Sequence, residues 1–170
     1  MDNLRTITIQ SDLTDDCFRK YIYPLLKGRM FHSTSVECFS SILKDQAVFC
    51  GSEIGIQEWR GIPYFRSRGY VSFCDFFNCT NYELIRIGRG EYNFECPKFD
   101  SERYLIVLKT EHHSLATSWF NVKNPRGERL VRFIESGIEG PLPLSFFEFA
   151  YRVIYPKELA KFNQIQRELA

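Results

Sequence analysis

The chain has no apolar run long enough to cross a bilayer as a helix, and its opening Met1-Asp2-Asn3-Leu4-Arg5 lacks the hydrophobic core of a secretory leader. A cytoplasmic protein with no membrane partner is expected. Neither sign of charge is in excess. With 22 Lys and Arg against 21 Asp and Glu, no bulk field points to nucleic acid or lipid, and any basic surface has to be local. Six cysteines (Cys17, Cys38, Cys50, Cys74, Cys79, Cys96) occur without one C-x-x-C pair. That argues against a zinc site and fits reduced thiols behaving as small hydrophobes. No glycine-rich fingerprint of the phosphate-loop or dinucleotide type is present, nor an internal repeat or a linker.

What the chain does have is apolar and aromatic bulk, 44% and 16% of its residues, enough for one good core. A single domain over residues 1–170 follows. Ile7 and Ile9 alternate with Thr6 and Thr8, as in a short strand. Asp12 to Leu26 carries Leu13, Cys17, Tyr21 and Leu25 at helical spacing, with Pro24 and Gly28 marking its end, so residues 1–28 form a helical lead-in. Strands are expected at Met30–His32, Ala47–Cys50, Tyr70–Phe76, Tyr104–Lys109, Glu128–Glu135 and Tyr151–Tyr155. Short helices are expected from Thr80 to about Ile87 and as one turn at Ser145–Glu148, with a final helix at residues 156–170 opened by Pro156. His112 and His113, adjacent on an extended chain, point apart and make a poor metal pair. A few helices around many short strands, with no βαβ alternation, give an α+β domain with a bent, mainly antiparallel sheet.

The chain is organised around Met30-Phe31-His32-Ser33-Thr34-Ser35 and the segment that follows it. Apolar residues run to a histidine and hydroxyls, and Val36, Phe39, Ile42 and Leu43 then make an apolar stripe of a helix ending near Asp45. Thr34 with Glu37 reads as its capping box. His32 therefore stands at a strand end facing a helix N-terminus, where free amides favour a polar or anionic ligand. A histidine satisfied within a tight turn is the other reading of the same residues.

From Gly51 to Gly69 the periodicity is lost, and Trp59, Arg60, Tyr64, Phe65, Arg66 and Arg68 interleave rings with guanidinium groups. Such a loop either stacks on bases and nucleotides or is a surface segment pinned by Trp59 and Phe65. Both readings stand.

The order Phe31-His32-Ser33-Thr34-Ser35, a helix ending Ile42-Leu43-Lys44-Asp45, and a later Gly69-Tyr70-Val71-Ser72-Phe73-Cys74-Asp75 resembles bacterial proteins of the ADP-ribosyltransferase fold. These include DNA-modifying toxins of toxin–antitoxin pairs and abortive-infection proteins of antiphage defence. The resemblance spans about two thirds of the chain. It implies NAD as substrate, a macromolecular acceptor (nucleic acid or protein) and a cognate antitoxin. In the histidine-type transferases the first-strand histidine holds the ribose of NAD, a tyrosine on a later strand stacks on nicotinamide, and a glutamate on a third strand polarises the ribose. Carried over, His32 takes the first position and Tyr70 the second, although a Gly-x-aromatic frame would put Ser72 or Phe73 there. Glu135, ahead of Gly140-Pro141-Leu142-Pro143-Leu144, takes the third, with Glu128 and Glu139 as rivals.

The chemistry makes matching demands. Cleaving the nicotinamide bond develops positive charge on the ribose, which one placed carboxylate stabilises. His32 would fix ribose hydroxyls, Ser33 or Thr34 the nicotinamide amide, and Arg60, Arg66 or Arg68 the pyrophosphate. Each residue alone has a structural reading: Tyr70 as core, Glu135 as a solvated strand-end charge. The alternatives in function are a nucleotide- or nucleic-acid-binding module without chemistry, and an inactive transferase-fold interaction or immunity protein. The transferase reading requires His32 and a downstream carboxylate to share one cleft.

Overall fold

The strongest strand in the sequence sits in the interior of the sheet. In the computed structural model, which describes residues 4–10, 23–50, 65–79, 102–119, 121–123, 126–127 and 134–154, the run Leu105-Ile106-Val107-Leu108 is buried throughout, so both of its faces are covered. This continuous apolar stretch belongs to β5 (Glu102–Leu108), and a strand covered on both sides has no reason to alternate. Around it lie β1 (Thr6–Gln10), β2 (Met30–Thr34), β4 (Tyr70–Asp75), β6 (Glu135–Glu139) and β8 (Phe147–Ile154), in the order β1-β8-β5-β2-β4-β6. Every neighbouring pair is antiparallel except β1 with β8 at one edge. A second, two-stranded sheet joins β3 (Ala47–Val48) to β7 (Leu142–Pro143). The chain is therefore α+β with a mainly antiparallel open sheet.

One face of the large sheet packs Phe31, Leu105 and Val107 with Phe65, Phe76 and Trp119. The other packs Phe73, Ile106 and Leu108 under the helix α2 (Val36–Asp45), which contributes Phe39 and Ile42. Phe39 also stacks on Tyr104, with ring centroids 3.9 Å apart and planes at 9°. A shorter helix, α1 (Tyr23–Leu26), brings Leu26 to the first face.

Several elements differ from the sequence reading, each for a local reason. The cap of α2 is Ser35, whose Oγ accepts from the Cys38 amide at 3.3 Å. Thr34 cannot serve, because it still belongs to β2, opposite Tyr104. Of the strand expected at Glu128–Glu135, residues 128–133 lie outside the described residues, and the described strand runs from Glu135 to Glu139 with Glu135 to Ile138 buried. His112 and His113 lie in a 3₁₀ turn, Thr110–Leu115, not on extended chain. Their rings do part: His112 stacks on Phe146 and His113 is buried against Phe77. At Leu144–Phe146 there is a 3₁₀ turn with no side-chain cap, and Glu148 pairs instead with Arg29 at 2.8 Å. The strand expected from Ala47 to Cys50 keeps only Ala47–Val48, while the closing strand lengthens to Phe147–Ile154. Of the helix expected from Asp12 to Leu26, Tyr23–Leu26 is helical, while residues 12–22 and the helices expected at 80–87 and 156–170 lie outside the described residues.

Gly137, in the middle of β6, has a structural role of its own. A Cβ there would stand 2.4 Å from Cδ1 of Phe65, so the ring occupies the space a side chain would need. On the outer edge of β6, Thr117 and Gly137 exchange two backbone hydrogen bonds, of 2.8 and 3.2 Å.

Phe31, 0% exposed and immediately before His32, ties the strand to the core. Phe31→Ala is expected to lower unfolding free energy by about 3–5 kcal/mol, measured as a shifted midpoint at constant slope in urea denaturation.

Candidate functional site

The site follows from a register mismatch. β2 pairs with β4 at only two positions, Met30 with Asp75 and Phe31 with Cys74. It stays with β5 from Phe31 to Thr34, while β4 stays with β6 from Tyr70 to Cys74. Beyond Phe31 the two strands follow different neighbours, and the sheet opens between them. The polar sequence that begins at His32 falls where the ladder ends.

A cavity of about 490 Å³ occupies this opening. Its walls come from His32 to Ser35 at the end of β2, from α2, from Val48 and Phe49, from Arg66, from Tyr70 to Ser72 at the start of β4, and from Arg103 on β5. Of the expected binding residues, His32, Ser33, Thr34, Arg66, Tyr70 and Ser72 meet there. Arg68 is exposed and off the wall, and Arg60 and Glu128 lie outside the described residues.

His32 Nδ1 is 2.8 Å from the carbonyl oxygen of Ser72. A carbonyl only accepts, so Nδ1 carries the proton and Nε2 is left as an acceptor. Burial pushes the imidazole down to about 4. The Ser72 carbonyl opposes that shift, and the nearby Arg66 and Arg103 add to it. Near neutral pH the ring is uncharged and its tautomer is fixed.

Arg103 donates from Nε to Ser33 Oγ at 3.0 Å. Among the described residues, neither Arg103 nor Arg66 has a carboxylate within ion-pair distance. Two guanidinium groups thus line a cavity whose α2 wall also carries Glu37 and Asp45, and guanidinium groups of this kind suit an anion with several oxygens. Tyr70 and Phe49, the latter 40% exposed, add aromatic surface. Sequence reasoning does not single out Arg103 or Phe49: Arg103 falls just before the strand expected at Tyr104–Lys109, and Phe49 falls inside the one expected at Ala47–Cys50. Arg103 is in fact the second residue of β5. The alternation Arg103, Leu105, Val107 was the available signal, since it puts Arg103 on the same face as Ser33.

Glu135 does not reach the wall. It is 6% exposed, directly across from Cys74, and its Oε1 accepts from Ser72 Oγ at 2.8 Å and from the Phe65 amide at 3.2 Å. The carboxylate expected to share a cleft with His32 stands one residue behind it. Glu139, its rival, is at the exposed end of β6 opposite Tyr70. Burial, with Glu135 alongside, pushes the Cys74 thiol up to about 12, so this cysteine is no nucleophile. Asp75 is fully buried and accepts from the Asn78 backbone and side chain at 2.9 and 2.8 Å and from Ser136 Oγ. It closes the turn after β4. No cluster of three metal-ligating side chains occurs among the described residues.

No family model matches the chain, and no curated protein or solved structure does either. Among the described residues no helix is long and apolar enough to cross a membrane.

The depressed His32 pKa has a stability consequence. Between pH 6.5 and about 4 the unfolded chain binds a proton at His32 that the folded chain does not, so stability falls as pH is lowered through that window. Urea titrations of the parent and His32→Gln should diverge in slope against pH there and run parallel above pH 7.

Proposed function

We propose that this cavity binds NAD or a closely similar dinucleotide and supports transfer of its ADP-ribose to a macromolecular acceptor, as the resemblance to the ADP-ribosyltransferase fold implies. The observation that carries the reading is the juxtaposition around one cavity of two arginines with no carboxylate at ion-pair distance among the described residues and an imidazole presenting an acceptor nitrogen. The cations suit a diphosphate, the acceptor nitrogen suits a ribose hydroxyl, and Tyr70 and Phe49 offer rings to a flat base. The volume falls in the range of small-molecule sites, from about 300 to 1,000 Å³.

When bound, NAD would supply the scissile bond between ribose and nicotinamide. The chain's own contribution is to orient and to exclude water. His32 accepts from the sugar with its tautomer held by Ser72. Arg66 and Arg103 fix the anionic end, and the Ser33 hydroxyl, already engaged by Arg103, sets the direction of that guanidinium.

A second reading is favoured by the placement of Glu135 behind Ser72: a nucleotide-binding module that holds its ligand without turning it over. Calorimetry and nicotinamide release separate the two. The parent should bind NAD with a salt-dependent affinity. Removing one charge-assisted contact, worth roughly 1.5–3 kcal/mol, by Arg103→Ala should weaken binding about 10- to 150-fold, and His32→Ala should weaken it in the same direction. Nicotinamide appearing with the parent and lost in His32→Ala supports the transferase. Binding without release supports the module, and absence of binding rejects both.

A further inference from the structure

We infer that Glu135 is a positioning residue, joining the strand that holds His32 to the turn that carries Arg66, so that ligand affinity depends on a carboxylate that does not touch the ligand. This rests on the reading of the cavity as a dinucleotide site. Ser72 is gripped from two sides: its hydroxyl donates to Glu135 Oε1 while its carbonyl accepts from His32 Nδ1. Phe65 is held by the same oxygen through its amide. Its carbonyl in turn accepts from the amides of Arg68 at 3.0 Å and Tyr70 at 3.3 Å. Arg66, the residue after Phe65 and first of the 3₁₀ turn Arg66–Arg68, lies within the loop that these two bonds close.

Phe65 also uses its ring. It lies over Gly137, where no Cβ could fit, and meets Tyr70 edge-on with centroids 5.8 Å apart. β6 therefore offers a dock with two parts, an acceptor at Glu135 and a bare backbone at Gly137. Into it the 65–70 segment is set by one polar and one apolar contact. A carboxylate this buried is costly unless it is hydrogen-bonded, and the Ser72 and Phe65 donors belong to the strand and the turn that bring Ser72 and Arg66 to the cavity. Groups that bind a ligand need such a supporting layer to hold their geometry.

Three variants of the full chain test this, read by NAD calorimetry and by amide hydrogen exchange of residues 65–70. Glu135→Gln keeps an oxygen that can accept from both donors, removes the charge and turns the second oxygen into an amide NH2. Glu135→Leu removes the acceptor. Gly137→Ala leaves the carboxylate in place and drives a methyl into the Phe65 ring. NAD affinity is expected to stay close to the parent's in Glu135→Gln and to drop roughly tenfold or more in the other two. In both, exchange should accelerate at 65–70 while that of β5 is unchanged. Should Glu135→Leu fail to fold, Gly137→Ala and Glu135→Gln still decide. Glu135→Gln losing affinity or nicotinamide release while Gly137→Ala matches the parent would overturn the inference, because the charge itself would then be what matters. Unchanged exchange at 65–70 in Gly137→Ala would overturn it as well. A parent that binds no NAD instead rejects the dinucleotide reading, and the exchange measurements then test the dock alone.

Discussion

A β-strand has two edges and can satisfy two neighbours, and the architecture here depends on β2 and β4 dividing that capacity unequally. For two residues they pair with each other. After that, β2 gives its remaining length to β5 and β4 gives its own to β6. The backbone groups facing the opening have lost their ladder partners, and buried groups of that kind must find others. The Ser72 carbonyl finds the imidazole of His32. The hydrogen bond that fixes the histidine's tautomer is thus a direct result of the sheet parting, and fold and site have one cause.

Electrostatics around the opening are layered. Neutral imidazole and two guanidinium groups stand at the surface of the cavity, while the buried carboxylate is set behind a serine hydroxyl. Arg66 and Arg103 both disfavour a proton on His32, which keeps an acceptor available among donors. A protonated ring would have lost the one acceptor that the imidazole offers.

Much of this could be read before any coordinates, and the limits are instructive. β5 was legible because four consecutive apolar residues have one stable outcome in a small domain, burial on both faces. His32 was legible because it interrupts an apolar strand just before a helix with a clear stripe. The cap was placed one residue early: Thr34 and Ser35 both carry hydroxyls, and the choice depends on where β2 stops pairing with β5, a tertiary matter. The extension of β6 past Glu135 is not legible because Ser136-Gly137 reads as a break. In the fold Gly137 is required by a ring from a distant segment. Glu135 enters only through the family resemblance, and its relation to Ser72 joins residues 63 apart, a distance no spacing rule covers. Arg103 is hidden for a related reason, since only the β2–β5 register brings it beside Ser33.

The bridge between Thr117 and Gly137 has a bearing on how molecules of this protein meet. A bare outer strand offers a row of amides and carbonyls onto which a foreign chain can zip. Midway along β6 that row is already engaged by the molecule's own backbone, so a visiting strand would run out of partners after a residue or two. The residue that leaves room for an aromatic ring on one side also shields this margin from templated association on the other.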